Sequence, residues 1–495
     1  MLNLKDLGQP YEFWEYFEKI SKIPRCSREE EKIRNFIKQE AEEFGFEAKI
    51  DEIGNIAVKI PAPDQKKKCV LQCHMDMVCE KNDAVEHDFS KDPLKLKLID
   101  LDGEKWVTAE STTLGADNGV GICYLLLLMK KIHNRSLTFS SLGLDLLFTV
   151  REEYDMGGAE SLDPNLVDGK YLINLDSGHK KITIGCTGGI GYQTRIKKES
   201  IFIDRDQLKM KPYKLFLSGL IGGHSGTCNK GQAHAIKLLS QILWKLNKKY
   251  KFHINYINGG GAANAIPREA YSIIFFKENL FSEINSYVLD NFDKIKNQFD
   301  GIEKNMSISL ENLENYSSNE ALSKNVQDKL LDILYSLPNG PIAMHPTIDN
   351  LMFTSTNLGK IRTREDHIKL RWLHRSLSKY YNRDICERIA TLLELSGLNI
   401  KNKYRGSYPP WEPDFDSKLL KIAQDAYKEL FDEEILFNII HGGLESTFLI
   451  DKIPGIDVIA FGARSKGLHS PDERLAVKSV EKTWNFLIHL LKKLN

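Results

Sequence analysis

Apolar positions recur at helical spacing over residues 11–23 and 29–44, so both stretches are expected to form amphipathic helices. Ser27 ahead of Glu30 resembles a capping box that would start the second of them. From there to residue 190 the apolar runs shorten. Residues 55–60 and 69–73 are short β-type runs, and residues 144–150 and 171–175 read as inner strands of a mainly parallel sheet. Residues 119–131 are too long and too evenly apolar for a strand and are expected to be a buried helix. Strands alternating with helices imply an α/β layered domain.

Between about residues 189 and 402 the texture changes. Strand-like stretches at 214–218, 270–276 and 306–310 alternate with longer amphipathic helices at 232–246, 282–298 and 323–336. After residue 404 the β–α order returns, with a helix at 417–430, strands at 435–440 and 456–461, and a closing helix at 479–491. The expected organisation is one discontinuous α/β domain (1–188 and 403–495) interrupted by an α+β insertion (189–402). No internal repeat or low-complexity linker interrupts it.

Composition changes this picture only by exclusion. A chain of 495 residues has room for two or three domains, and 42% hydrophobic with 27% charged residues is an ordinary globular balance. Lys plus Arg equals Asp plus Glu at 68 each, so no global field draws the chain to nucleic acid or an anionic membrane. The longest apolar runs, such as 124–129, fall well short of the roughly 20 residues a membrane span requires. Residues 1–9 lack the basic leader and apolar run of a signal peptide. The eight cysteines (Cys26, Cys69, Cys73, Cys79, Cys123, Cys186, Cys228 and Cys386) have no regular spacing and are expected to be reduced thiols in a cytoplasmic protein. Cys69, Cys73 and His74 hint at a zinc ribbon, but no second cysteine pair completes one.

The candidate chemistry lies where strands should end, the place where sites form in parallel α/β sheets. In Val70-Leu71-Gln72-Cys73-His74-Met75-Asp76 an apolar strand delivers His74, and Asp76 leaves the same face two residues on. A metal-ligating imidazole needs an acceptor on its second nitrogen, and Asp76 could supply it. Gly115-Ala116-Asp117-Asn118-Gly119 places an acid in a glycine-rich turn before the buried helix; a plain helix cap is the competing reading. Glu152 and Glu153 follow a strongly apolar strand, and paired acids there are costly unless a cation or a shared proton relieves them. Asp176 ends another apolar strand and could be only a turn former, and His469 could be only a surface histidine.

Taken together these segments offer two histidines and four or five carboxylates, a donor set suited to divalent zinc, manganese or cobalt, with zinc favoured by imidazole. Two-metal hydrolases hold their ions about 3.5–4 Å apart, which calls for a bridging carboxylate and about two further ligands per ion. The inventory supplies that, with one glutamate left over as a base.

In the order and wording of these motifs the chain resembles, almost end to end, the aminoacyl-histidine dipeptidases (peptidase D, or bacterial carnosinases) of the co-catalytic di-zinc metallopeptidases. Gly222-Gly223-His224-Ser225-Gly226, Asn264-Ala265-Ile266-Pro267, His441-Gly442-Gly443-Leu444-Glu445 and His469-Ser470-Pro471 belong to the same likeness. The resemblance implies that Asp117 bridges two metal ions, that His74 and Asp176 complete one site, and that Glu153 and His469 complete the other. It implies a cis peptide after Asp117, Asp76 orienting His74, and Glu152 as the general base that takes a proton from the attacking water and passes it to the leaving amine. It further implies a short peptide substrate, dipeptides of the Xaa-His type in particular. The insertion is expected to act as a lid and to carry a homodimer contact.

His224 is expected to steady the oxyanion, and Asn264 and Arg375 to meet the substrate's carbonyl and carboxylate, although a loop histidine and a solvated helix arginine are the plain alternatives. One of His441 and Glu445 is expected at the end of the pocket that takes the substrate's amino group. The polar tract 361–371 departs from the usual lid sequence. A related tripeptidase, carboxypeptidase or N-acyl amino acid deacylase is the alternative within the enzymes, and a non-catalytic peptide-binding scaffold the alternative outside them.

Overall fold

The computed structural model describes residues 7–495. The first six residues of the expected leaderless N-terminus lie outside that range. The chain divides into two compact units, one formed by Met1–Cys186, Trp411–Ile439 and Leu444–Asn495, the other by Thr187–Pro410 and Ile440–Gly443.

The first unit is built on an eight-stranded sheet in the order Glu47–Ile50, Ile56–Ile60, Leu142–Thr149, Lys67–His74, Tyr171–Asn174, Asp457–Ala460, Lys181–Cys186, Leu436–Ile440. Its four central strands run parallel. The strands flanking them at Ile56–Ile60 and Lys181–Cys186 pair antiparallel, so the sheet is parallel at its centre and mixed at its margins. The reason is visible in the side chains. Leu142–Thr149 is buried at every position and Tyr171–Asn174 likewise, as strands covered on both faces must be.

The helices Tyr11–Ile20, Ala116–His133, Lys418–Phe431 and Val477–Leu494 contribute to the same apolar core. Ala116–His133 is buried continuously from Asn118 to Met129, which accounts for its even apolarity. A separate four-stranded sheet, ordered Ser465–Lys466, Arg474–Ala476, Glu104–Ala109, Leu96–Leu101, holds the loop that carries His469.

The expected capping box is not formed. Glu31–Glu43 begins after Glu30 with no side-chain cap, and the Ser27 hydroxyl instead donates to Asp76 Oδ2 at 2.6 Å. A partner 49 residues away outcompetes the local one, and no local pattern announces it.

The second unit is an antiparallel sheet in the order Ser307–Asn312, Met210–Ser218, Ala270–Lys277, His253–Gly260, Met352–Thr363, His367–Ser376, Gly188–Lys197, Ile400–Tyr408, with Gly340–Met344 joined to Met352–Thr363. Helices Ala235–Lys249, Phe281–Lys296, Lys324–Ser336 and Lys379–Leu395 share its core. It extends to Pro410 rather than residue 402, because Ile400–Tyr408 pairs with Gly188–Lys197 as its edge strand. The polar tract 361–371 forms most of a hairpin: Ile361, Ile368 and Leu370 are buried while Arg362, Lys369 and Arg371 alternate outward. Its polarity is therefore that of a sheet with one open face.

Cys26 and Cys79 form a disulfide, which corrects the expectation of reduced thiols throughout. The fold brings their Cα atoms to 5.8 Å across 53 residues, a pairing that irregular spacing hides. Among the described residues no helix is long and apolar enough to cross a membrane.

Candidate metal centre

Parallel strands point their carboxyl ends the same way, so loops leaving Lys67–His74, Leu142–Thr149 and Tyr171–Asn174 emerge at one edge of the sheet. His74 is the last residue of its strand. Glu152 and Glu153 open the short helix Glu152–Asp155, and Asp176 follows its strand by two residues. Asp117 stands at the start of Ala116–His133, and its peptide bond to Asn118 is cis. His469 arrives from the small four-stranded sheet with φ at +60°, a turn conformation.

The resulting contacts join every candidate ligand. His74 Nε2 lies 2.9 Å from Asp117 Oδ1 and 3.8 Å from Asp176 Oδ2. His469 Nε2 lies 3.0 Å from Glu153 Oε1 and 3.6 Å from Asp117 Oδ2. Asp117 thus turns one oxygen to each histidine. Three overlapping sets have donor atoms within 4.8 Å of one another: His74, Asp117 and Asp176; Asp117, Glu153 and His469; His74, Glu152 and Glu153.

The electrostatics ask for a cation. Burial, together with the charges of Asp117 and of one another, pushes the carboxyls of Glu152, Glu153 and Asp176 above the usual carboxylate range. Carboxylates crowded with imidazoles, out of water, form a donor set that a divalent ion neutralises and coordinates.

The supporting groups are equally defined. Asp76 is fully buried. Its Oδ1 accepts the Glu152 N–H at 3.0 Å and its Oδ2 the Glu153 N–H at 3.1 Å, while Oδ1 also lies 3.4 Å from His74 Nδ1. His74 Nδ1 is 3.1 Å from the Asp76 carbonyl oxygen as well. Arg25, also buried, donates to the carbonyl oxygens of Met75, Asp76 and Gly115. Gly115 has φ at +66°, and a Cβ there would collide with the Arg25 guanidinium, so glycine is required on both counts. Sequence reading missed Ser27, Arg25 and Glu473, whose buried carboxylate accepts the backbone N–H groups of Leu114, Gly115, Ala116 and Asp117. The adjacency of Asp472-Glu473 to His469-Ser470-Pro471 is the one signal that could have pointed to Glu473.

Glu445 sits beneath the sheet edge, fully buried, with Oε2 accepting from Gln72 Nε2 at 2.7 Å and Thr149 Oγ1 at 2.6 Å. Burial raises its carboxyl to about 7.

Within the second unit the remaining candidates gather. Gly223–His224 pairs with Ala265–Ile266, which sets His224 beside Asn264, and the Asn264 carbonyl accepts the Ser225 N–H at 2.8 Å. His224 Nε2 is 3.1 Å from Arg375 Nη2. Arg375 is a buried strand residue hydrogen-bonded to the Tyr408 hydroxyl, not a solvated helix arginine. His441 Nε2 is 2.6 Å from Ser355 Oγ.

Comparison with known proteins fits this constellation. The pattern described as Peptidase family M20/M25/M40 matches residues 70–493. The chain is 33% identical over 503 residues to the cytosol non-specific dipeptidase of Escherichia coli (strain K12), covering 99% of each sequence. It superposes on the aminoacylhistidine dipeptidase of Vibrio alginolyticus with a TM-score of 0.80 and 30% identity, over 99% of this chain and 98% of that one. Human carnosine dipeptidase 1 shares the fold alone, with a TM-score of 0.54 and 10% identity over 100% of this chain and 99% of that one.

Proposed function

The chain belongs to peptidase family M20/M25/M40, and on that premise we propose that it is a metal-dependent dipeptidase with Xaa-His dipeptides among its substrates. The observation that carries this reading is the convergence of His74, Asp117, Glu153, Asp176 and His469, with Asp117 shared between the two histidines and Glu152 grouped with His74 and Glu153. The unit containing these residues is the catalytic domain, and the unit containing His224 and Arg375 is the lid and the homodimer contact.

The residues suit two zinc ions, one held by His74, Asp117 and Asp176 and the other by Asp117, Glu153 and His469. Bound there, the ions supply Lewis-acid polarisation of the scissile carbonyl and a more acidic water. Glu152 belongs to neither of those sets and takes the proton from the attacking water. It then hands that proton to the departing amine, acting first as general base and then as general acid. Asp76 fixes the His74 ring through Nδ1 and holds the Glu152 backbone by the same carboxylate. His224 donates to the developing oxyanion, Arg375 pairs with the substrate carboxylate, and Asn264 meets its carbonyl. One of His441 and Glu445 takes the amino end of the substrate.

The likeness to the cytosol dipeptidase supports a cytoplasmic location, and the Cys26–Cys79 disulfide counts the other way. The experiment is hydrolysis of β-Ala-His, Gly-His, Leu-Leu, a tripeptide and an N-acetyl amino acid by zinc-reconstituted protein. Turnover of the dipeptides that is lost on chelation supports the reading. Turnover of only the tripeptide or the N-acetyl compound overturns the dipeptidase assignment, and no turnover with metal bound overturns the enzyme assignment.

A further inference from the structure

Glu473 is almost completely buried, 2% exposed, and the buried Arg25 guanidinium interacts with its charge without hydrogen-bonding to it. Its carboxylate is instead filled by backbone. Oε2 accepts the N–H groups of Leu114 at 2.8 Å and Gly115 at 2.9 Å. Oε1 accepts those of Ala116 at 2.8 Å and Asp117 at 3.3 Å. Four consecutive amides, running into the residue that faces both histidines, therefore close on one side chain from a segment more than 350 residues away.

That segment is the one that carries His469. Glu473 lies four residues beyond it, its N–H bonded to the Ser470 carbonyl and its own carbonyl accepting from Thr108 Oγ1 at 2.6 Å. Glu473 thus ties its end of the loop to the small sheet through its carbonyl and to the Asp117 turn through its carboxylate. We infer that Glu473 is a positioning residue that couples Asp117 to His469 and so sets the spacing of the Asp117, Glu153 and His469 donor group. The inference rests on the reading of that group as a metal site.

The chemistry selects a carboxylate. Four donors aimed at one group need a group that only accepts, and an ionised Glu offers two oxygens with about four lone-pair sites. A glutamine of the same shape would point its own N–H bonds at two of the backbone N–H groups. The turn would open, and Asp117 and His469 would separate. His74 and Asp176 are held by strand ends and would keep their places, so the loss falls on one donor group more than on the other.

The test is zinc affinity, measured by competition with a chromophoric chelator, for the wild type, Glu473→Gln and Glu473→Asp. Amide hydrogen exchange of residues 114–117 is followed alongside. Two zinc ions are expected on the wild type. Because Asp117 belongs to both donor groups, one ion should bind Glu473→Gln slightly more weakly and the other, which also depends on His469, about 10–100-fold more weakly, the loss typical when a ligand's support is removed. Exchange at 114–117 should quicken while the central strands stay protected. Glu473→Asp, which keeps the charge but is one methylene short, should fall between; it carries the test if the glutamine variant does not fold.

A lowered thermal midpoint with both affinities intact would make Glu473 a structural residue and overturn the inference, as would equal weakening of both ions. A wild type that binds no zinc at all would instead sink the metal reading beneath it, so the two failures are distinct.

Discussion

Asp76 and Glu152 are joined by one hydrogen bond across 76 residues: the Glu152 N–H donates to Asp76 Oδ1 at 3.0 Å. The same carboxylate faces the His74 ring, so the His74 imidazole and the Glu152 backbone are set from one point. A change at Asp76 would therefore disturb both together.

Glu152→Gln preserves shape and the backbone amide that Asp76 holds, and removes only the proton acceptor. Turnover should fall by about 10²–10⁴-fold, the usual worth of a positioned general base. Zinc content and thermal midpoint should match the wild type. Retained turnover with intact metal would assign the base elsewhere.

Asp76→Asn replaces an acceptor-only group with one that must present N–H bonds on one side, against Ser27, His74 and the Glu152 and Glu153 amides. Zinc affinity should drop about 10–100-fold. Part of the lost activity should return at high zinc, because the ligands themselves remain. Titration of kcat against free zinc checks this; a loss that no zinc concentration repairs would contradict the orienting role.

His234 and His374 are buried in the second unit, and burial lowers each imidazole from about 6.5 to about 3. Both stay neutral in the folded protein, while the unfolded chain binds a proton at each below pH 6.5. Stability is accordingly full above 6.5 and declines as pH falls from there toward 3, by up to about 1.4 kcal/mol per pH unit for each group. His374→Gln, whose amide can still meet Thr356 Oγ1, removes one of the two. The fall of thermal midpoint between pH 6.5 and 4.5 should be shallower in that variant, and an unchanged slope would refute the assignment.

With Cys26 and Cys79 bonded, thiol titration in denaturant without reductant should find six free thiols of the eight, and eight after reduction. Closing a loop of this length constrains the unfolded chain by about 4 kcal/mol in the entropy treatment. Reduction should lower the denaturant midpoint correspondingly; eight titratable thiols from the start would show the bond absent in solution.

Much of the centre was legible in the sequence because its logic is local. An apolar run long enough to be an inner strand ends where an acid or histidine begins, and His74, Glu152, Glu153 and Asp176 announce themselves in this way. The even apolarity of the helix Ala116–His133 likewise fixes its burial before any coordinates, since a helix apolar all round has nowhere else to go.

What only the tertiary structure decided depends on contacts between distant residues. Ser27 leaves its capping position for Asp76, Arg25 gathers three carbonyls, and Cys26 meets Cys79. Glu473 closes on four amides, and Arg375 turns out to be a buried strand residue. A polar side chain in sequence shows what it can donate or accept, but which group takes it is set by the register of strands and the path of loops. The sequence therefore determined which residues could hold metal and move a proton, and the fold decided what holds those residues still.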